Sequence, residues 1–443
     1  MRINFFNFRN NGNYDMNILL TGATGFIGQH LLRGLLAENH HVTVCCRQPE
    51  PLLRQFPALK AIALDFENAT GINDWLPHLQ QIDAVINAVG IIQETRRASF
   101  DKLHHLAPCA LFEACAKMPI KKVVQISALG AELNGATEYF TSKAKADALL
   151  QSLDLDWIIF KPSIVFGAGA KSMGLLTALA ALPITPIMDD GRQAVQPVAV
   201  TDLQQAVVLA LKPQTPTRQI INAVGPEPIS FIKLIDGLAA RLGRRLKPLH
   251  ISGSWLAALA PLAVCMDEPA LNKQSLIMLR QSNTANAEGF TRYLGHSPGS
   301  LEQALQATPA SQAERWHARL YFMRPLLNFS IALVWLWAGL VSAFLYPVAD
   351  SYQMLSRIGI TGGWAPLTLY GASLADVALG ISVLLRWRPR LITALQIGIM
   401  LAYSVAISIY LPEFWLHPFG PLIKNLPFLM AILVLLIIEE ERP

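Results

Sequence analysis

At 443 residues the chain is too long for one ordinary domain, and a prior of about 150 residues per domain points to two or three. Hydrophobic residues make up 52% and charged residues only 15%, against about 25% charge in an average soluble domain, which places part of the chain in lipid. The net charge of +5 comes from scattered basic residues, with no long Lys/Arg run interleaved with aromatics, and this argues against nucleic acid as a partner. Cys45, Cys46, Cys109, Cys115 and Cys265 form no C-x-x-C pair and no His cluster, which argues against a metal site or a disulfide framework and suits a reducing cytoplasm.

Residues 1–15 are rich in Asn and Phe and lack an apolar run of signal-peptide length. They read as a leader, disordered or preceding a start at Met16. From residue 17 short apolar runs alternate with helical patterns: NILL at 17–20, a helix over 26–38, HVTVCC at 41–46, AIAL at 61–64, IDAVINAV at 82–89, VVQIS at 123–127 and DWIIF at 156–160. Strands alternating with helices predict an α/β fold, a doubly wound Rossmann-type parallel sheet covered on both faces, over 16–170. Residues 171–320, richer in Pro and Gly, read as a small substrate domain with returning Rossmann elements, including a strand at 218–223. Two apolar stretches there, 173–188 and 255–266, are broken by Pro and too short to span a bilayer. They read either as core helices or as a greasy pocket or docking face.

Residues 321–443 change character. Apolar stretches at 326–346, 365–385, 391–411 and 421–438 each approach the roughly 20 residues that cross a bilayer, predicting a four-helix transmembrane bundle. Arg319 and Arg324 precede the first stretch, and Arg386, Arg388 and Arg390 fill the second connection, while the other connections carry one basic residue each. The positive-inside rule then predicts a multi-pass protein of the inner membrane with the Rossmann domain and C-terminus cytoplasmic. Trp364, Tyr410, Trp415 and Phe419 fall at the expected interfaces. Asp376 falls within the second stretch among Gly371, Ala375 and Gly380, where a carboxylate must face the bundle interior and small residues permit close helix contact.

Thr21-Gly22-Ala23-Thr24-Gly25-Phe26-Ile27-Gly28 follows the first strand and opens the first helix. In that context the glycines allow a tight turn and close approach of a pyrophosphate to the helix N-terminus, so Gly22, Thr24, Gly25, Phe26, Ile27 and Gly28 are candidate dinucleotide-binding residues. The second strand ends in Arg47, with no acid for a ribose 2′-hydroxyl. Arg47 would pair instead with a 2′-phosphate, which favours NADP(H) over NAD(H). Asp65, at the end of the third strand, is placed for the adenine amino group, and Asn87, Ala88 and Gly90 close the fourth strand beside the cofactor.

Ser127 ends the fifth strand, and Tyr139 and Lys143 share one face of the next helix at i,i+4 spacing. A Lys⁺ beside the phenol, with the positive nicotinamide, is expected to lower the Tyr pKa, letting Tyr139 exchange a proton with a substrate alcohol or carbonyl while Ser127 bonds the same oxygen. His104 and His105, without partner ligands, read as surface or capping residues.

The order of Thr21–Gly28, Asn87-Ala88-Val89-Gly90, Ser127, Tyr139-Phe140-Thr141-Ser142-Lys143, Lys161-Pro162-Ser163-Ile164-Val165-Phe166-Gly167 and Gln196-Pro197-Val198-Ala199-Val200-Thr201-Asp202-Leu203 resembles the extended and atypical branch of the short-chain dehydrogenase/reductase superfamily. Within it the chain is similar to proteins like the nucleotide-binding accessory subunit of respiratory complex I and to membrane-fused bacterial relatives. The resemblance implies that Pro162 and Ser163 lie against the nicotinamide and that Lys143 also holds its ribose. Because such accessory subunits bind NADPH mainly as a structural ligand, an intact Ser-Tyr-Lys set implies turnover only conditionally. The tail resembles the DoxX-like membrane family in span number, its Gly/Ala-rich second span and its short loops. Three functions follow: a membrane-anchored NAD(P)(H)-dependent oxidoreductase acting on a carbonyl or hydroxyl of a lipophilic small molecule, a non-catalytic NADPH-binding module of a membrane protein complex, or an epimerase/dehydratase.

Overall fold

Strands that are apolar at nearly every position must be covered on both sides. Seven strands, of which the five inner ones are of this kind, form one parallel sheet: β1 (Asn17–Thr21), β2 (His41–Cys46), β3 (Lys60–Ala63), β4 (Ala84–Asn87), β5 (Lys122–Ile126), β6 (Trp157–Pro162) and β7 (Gln219–Ala223), in the order β3-β2-β1-β4-β5-β6-β7. This is a computed structural model, and it describes residues 15–95, 97–167, 169–255, 273–307 and 309–440. Ile18, Leu20, Ile86 and Val124 meet Leu31 and Leu35 of helix Phe26–Ala37 and Leu203 of helix Val200–Ala210 on one face. Leu19, Val85, Val123 and Ile159 meet Phe112 of helix Ala107–Ala116 and Leu150 of helix Glu138–Ser152 on the other. The expected doubly wound Rossmann fold is therefore present, with the strand order reversing between β1 and β4.

The chain divides into two compact units, residues 1–318 and 319–443. Within the first, the chain after β6 forms short two-stranded ladders beside the main sheet: Val165–Phe166 with Val198–Ala199, Ala194–Val195 with Ile229–Ser230, and Thr185–Met188 with Pro248–Ile251. The apolar stretch 173–188 becomes helix Lys171–Ala181 and strand Thr185–Met188. Ala180 and Ile187 from it pack with Phe166, Leu234 and Leu238 in a core of their own. Residues 256–266 of the other stretch, Cys265 and residues 1–14 lie outside the described residues.

The second unit is helical. Met323–Leu345, Trp364–Leu384 and Pro389–Tyr410 are each long and apolar enough to cross a membrane. The expected fourth span is a shorter helix, Asn425–Glu440, of 16 residues. At a rise of 1.5 Å per residue it covers about 24 Å, short of the roughly 30 Å hydrocarbon core. Among the described residues, three of the four expected spans are thus matched in length, and the fourth is a shorter apolar helix.

Close helix contact falls on Gly380 and Gly339. A Cβ on Gly380 would stand 2.6 Å from Leu336 Cγ, and one on Gly339 2.6 Å from the Ser373 carbonyl oxygen. Gly371, expected to serve the same purpose, has nothing within 4 Å of its would-be Cβ, because it sits on an exposed face. Asp376 is buried, with the Tyr403 hydroxyl donating to its Oδ1 at 3.5 Å, and Trp335 Nε1 donates to Gln396 Oε1 at 2.9 Å.

Candidate active site

A crevice opens at the carboxyl ends of the strands where a doubly wound sheet reverses its order. Here that point is bounded by the turn after β1 and the turn after β4. Gly22 has φ +73°, and a Cβ on it would meet the Ala88 carbonyl oxygen at 2.5 Å, so only glycine lets the two turns touch. Gly28 is tighter still, since a Cβ there would stand 2.0 Å from the Gly22 carbonyl oxygen. The helix that follows has Gly25 at its N-cap with no side-chain cap, leaving its first amides available to an anion. Thr24 and Gly25 are exposed at this turn, whereas Phe26 and Ile27 are half-buried. These residues fit a dinucleotide pyrophosphate.

Asn87 ends β4, as expected. It is buried and sits in a chain of hydrogen bonds across three strands: Thr21 Oγ1 donates to Asn87 Oδ1 at 2.6 Å and Asn87 Nδ2 donates to Gln125 Oε1 at 2.8 Å. Its side chain pins the floor of the crevice, and its Oδ1 also receives the Val89 amide at 3.3 Å, shaping the turn that carries Ala88 and Gly90. Arg47 is exposed just past β2. Asp65 lies two residues beyond β3 rather than within it, and its Oδ1 accepts from the Glu67 amide at 3.2 Å. The Ser163 hydroxyl donates to the Gln196 carbonyl, and the Pro162 carbonyl accepts from the Leu129 amide at 2.9 Å. That segment is therefore fastened to the loop just after Ser127.

Helix Glu138–Ser152, capped by Thr137 Oγ1 accepting from the Phe140 amide, brings Tyr139 and Lys143 to the crevice. Lys143 Nζ lies 5.9 Å from the Tyr139 ring centroid and donates to the Ile126 carbonyl at 3.2 Å. A Cβ on Gly90 would be 3.5 Å from that ammonium. Burial pushes the Lys143 ammonium down to about 8, against the opposing charge of Asp147. Burial also pushes the Tyr139 phenol up to about 12, the reverse of the lowering expected from the Tyr-Lys spacing. Desolvation governs the phenol: the ammonium, over the ring at 5.9 Å from its centroid, spends a donor on the backbone, and the Tyr139 hydroxyl keeps its proton more firmly than a free phenol.

Ser127 Oγ donates to Asp147 Oδ2 at 2.5 Å, and both groups are buried. Burial raises the Asp147 carboxyl, opposed by the Ser127 bond and by the charges of Lys143 and Lys161. Asp147 was not anticipated, although it continues the i,i+4 face of Tyr139 and Lys143 by one more turn. His104 was placed at the surface by sequence reasoning, and this is corrected: it is 1% exposed, between Tyr139 and the turn after β4. Its helix packs against helix Glu138–Ser152, a long-range contact that no local pattern announces. His105, half-buried, pairs with Asp101 at 2.9 Å.

Residues 22–176 match the NAD(P)H-binding family and residues 332–433 the DoxX-like family. The chain thus joins an NAD(P)-binding Rossmann domain to a DoxX-like domain. Among individual proteins, it is similar to mitochondrial NADH dehydrogenase (ubiquinone) 1 alpha subcomplex subunit 9 of Mus musculus, at 22% identity over 67% of this chain and 80% of the relative. The NADH-ubiquinone oxidoreductase 40 kDa subunit of Neurospora crassa is 22% identical over 54% of this chain and 64% of its own length. Ceramide reductase of Caulobacter vibrioides is 25% identical over 39% of this chain and 53% of its own length. In these last two cases the chain matches less than two thirds of the relative. UDP-glucuronic acid 4-epimerase from Bacillus cereus, solved with NAD, superposes with a TM-score of 0.52 at 20% identity, over 69% of this chain and 100% of that one. This likeness is one of fold.

Proposed function

We propose that the protein is a membrane-anchored, NADPH-dependent oxidoreductase of the short-chain dehydrogenase/reductase type that reduces a carbonyl group on a lipophilic molecule. The observation that carries this reading is Tyr139, a protonated phenol held with Lys143 next to Gly90 at the sheet's reversal point. NADPH, when bound, supplies a hydride to the carbonyl carbon. Tyr139 would give the oxygen its proton, Lys143 would hold the nicotinamide ribose, and the Gly22–Gly28 turn would hold the pyrophosphate. Arg47, exposed past β2 where an NAD site would carry an acid, supports NADPH over NADH. The DoxX-like domain and the similarity to a ceramide reductase support a substrate that resides in lipid.

Arg386, Arg388 and Arg390 between the second and third apolar helices support a cytoplasmic location for that connection and for the Rossmann domain. A periplasmic signal from a reporter inserted there would contradict it. A second reading, an NADPH-binding module within a membrane complex, draws on the Ser127 hydroxyl being turned to Asp147 and on the similarity to complex I subunits.

The two readings part in one experiment. Purified full-length protein in detergent is expected to bind NADPH about tenfold more tightly than NADH, and a reversed preference would remove the role of Arg47. Supplied with ketolipids and quinones, wild type is expected to oxidise NADPH at least about 100-fold faster than Tyr139→Phe, with nucleotide affinity unchanged. Equal rates in the two proteins would leave the binding module.

A further inference from the structure

His104 lies on the π-helical turn Asp101–Leu106, a local widening that recurs at functional sites. Both of its ring nitrogens are engaged. Nε2 accepts from the Ile91 amide at 3.0 Å, and Nδ1 stands 3.1 Å from Ser142 Oγ. Since an amide only donates, Nε2 carries no proton, which assigns the proton to Nδ1 and makes the ring neutral. Ser142 Oγ passes the chain on, donating to the Tyr139 carbonyl at 3.0 Å. The imidazole also meets the Tyr139 ring edge-on at 5.4 Å between centroids and stacks on Phe100 at 5.3 Å. Its Nε2 would be 3.7 Å from a Cβ on Gly90.

We infer that His104 is a positioning residue that ties the turn after β4, at the nucleotide crevice, to Tyr139, so that nucleotide and proton donor are held in one arrangement. The inference rests on the proposed NADPH reading and deepens it. A side chain kept for packing alone would need no acceptor for the Ile91 amide and no donor for Ser142. This one has each on the side where it is used, with the Tyr139 ring edge-on to it and one face stacked on Phe100. Phe100 completes the wedge from behind, with its own amide held by Glu94 Oε1 at 2.7 Å.

Hydrogen exchange followed by mass spectrometry on the full chain in detergent, with and without NADPH, tests the tie. In wild type, NADPH is expected to slow exchange both in 88–95 and in 136–143. H104Q keeps an acceptor near the position of Nε2 but not the donor to Ser142, and is expected to leave the Ile91 amide as slow to exchange as in wild type while protection of 136–143 weakens. H104N keeps a donor for Ser142 but gives up the Ile91 bond. It is expected to lose protection of 136–143 while 88–95 still responds, and to bind NADPH up to about tenfold more weakly, the range one hydrogen bond covers.

Ser142→Ala, which leaves the imidazole untouched, is expected to weaken the same protection and serves where the histidine variants do not fold. Wild-type protection of 136–143 in both H104N and Ser142→Ala, or identical behaviour of H104N and H104Q, overturns the inference. Wild-type protein that does not bind NADPH at all would instead sink the proposed function. Faster exchange of the Ile91 amide in H104N without nucleotide would then still report on the bond itself.

Discussion

The crevice of the first unit and the interior of the helical unit both bury polar side chains, and they do so differently. At the crevice, polar groups stand at strand ends and are linked through several partners, as in Thr21–Asn87–Gln125. In the bundle, buried pairs such as Trp335 with Gln396 and Asp376 with Tyr403 each join two helices. A sheet edge brings many backbone and side-chain groups to one line, whereas a contact between two facing helices draws on the few side chains at the crossing. Losing one group should therefore disturb a shared arrangement in the first region and a single contact in the second.

The largest effect is expected at Gly28. In Gly28→Ala the new Cβ would meet the Gly22 backbone at 2.0 Å, and backbone cannot step aside as a side chain end can. A loss of about 3 kcal/mol or more in unfolding free energy is expected, together with loss of NADPH binding. A variant that melts and binds like wild type would break the picture of a crevice closed by touching turns.

Next is the dependence on pH. His104 is held neutral, its pKa well below 6.5 because of burial and the Lys143 charge. The unfolded chain therefore binds a proton that the folded one refuses as pH falls below 6.5. Stability conferred by the neutral ring is whole above that pH and declines beneath it, by up to about 1.4 kcal/mol per pH unit. Melting curves of wild type and H104N between pH 7 and 5 should converge by that slope, and parallel curves would show that the imidazole is not held neutral.

The smallest effect is expected in the bundle, where Gln396→Leu leaves Trp335 Nε1 without its acceptor. Unfolding in mixed micelles should show a loss of about 1 kcal/mol, in the range of single interhelical hydrogen bonds. A cost equal to that of Gly28→Ala would erase the contrast between the two regions.

The sequence made the fold legible because the relevant information is local. Runs such as Asn17–Thr21 and Ala84–Asn87 are apolar on both faces, and Gly22 and Gly28 mark the turn whose closeness the structure explains. What escaped depends on partners distant in the chain. His104 becomes internal only because its helix packs against the one carrying Tyr139, 35 residues later. The hydrogen bonds that join the Asn87 side chain to Thr21 and Gln125 likewise link separate strands. In the tail, hydropathy alone did not reveal where the last helix begins, and spacing did not distinguish exposed Gly371 from Gly380, whose neighbour Leu336 lies on another helix.

The Ser127–Asp147 bond carries one more consequence, for the direction of chemistry. A hydroxyl has a single hydrogen, and that of Ser127 is already given to Asp147. In this arrangement Ser127 has only lone pairs to offer, so it greets an alcohol, which brings its own hydrogen, and has nothing to give a ketone. On the proposed reading Asp147 would bias Ser127 toward the reduced form of the substrate, and a ketone would gain a hydrogen bond from Ser127 only when that carboxylate released the hydroxyl hydrogen.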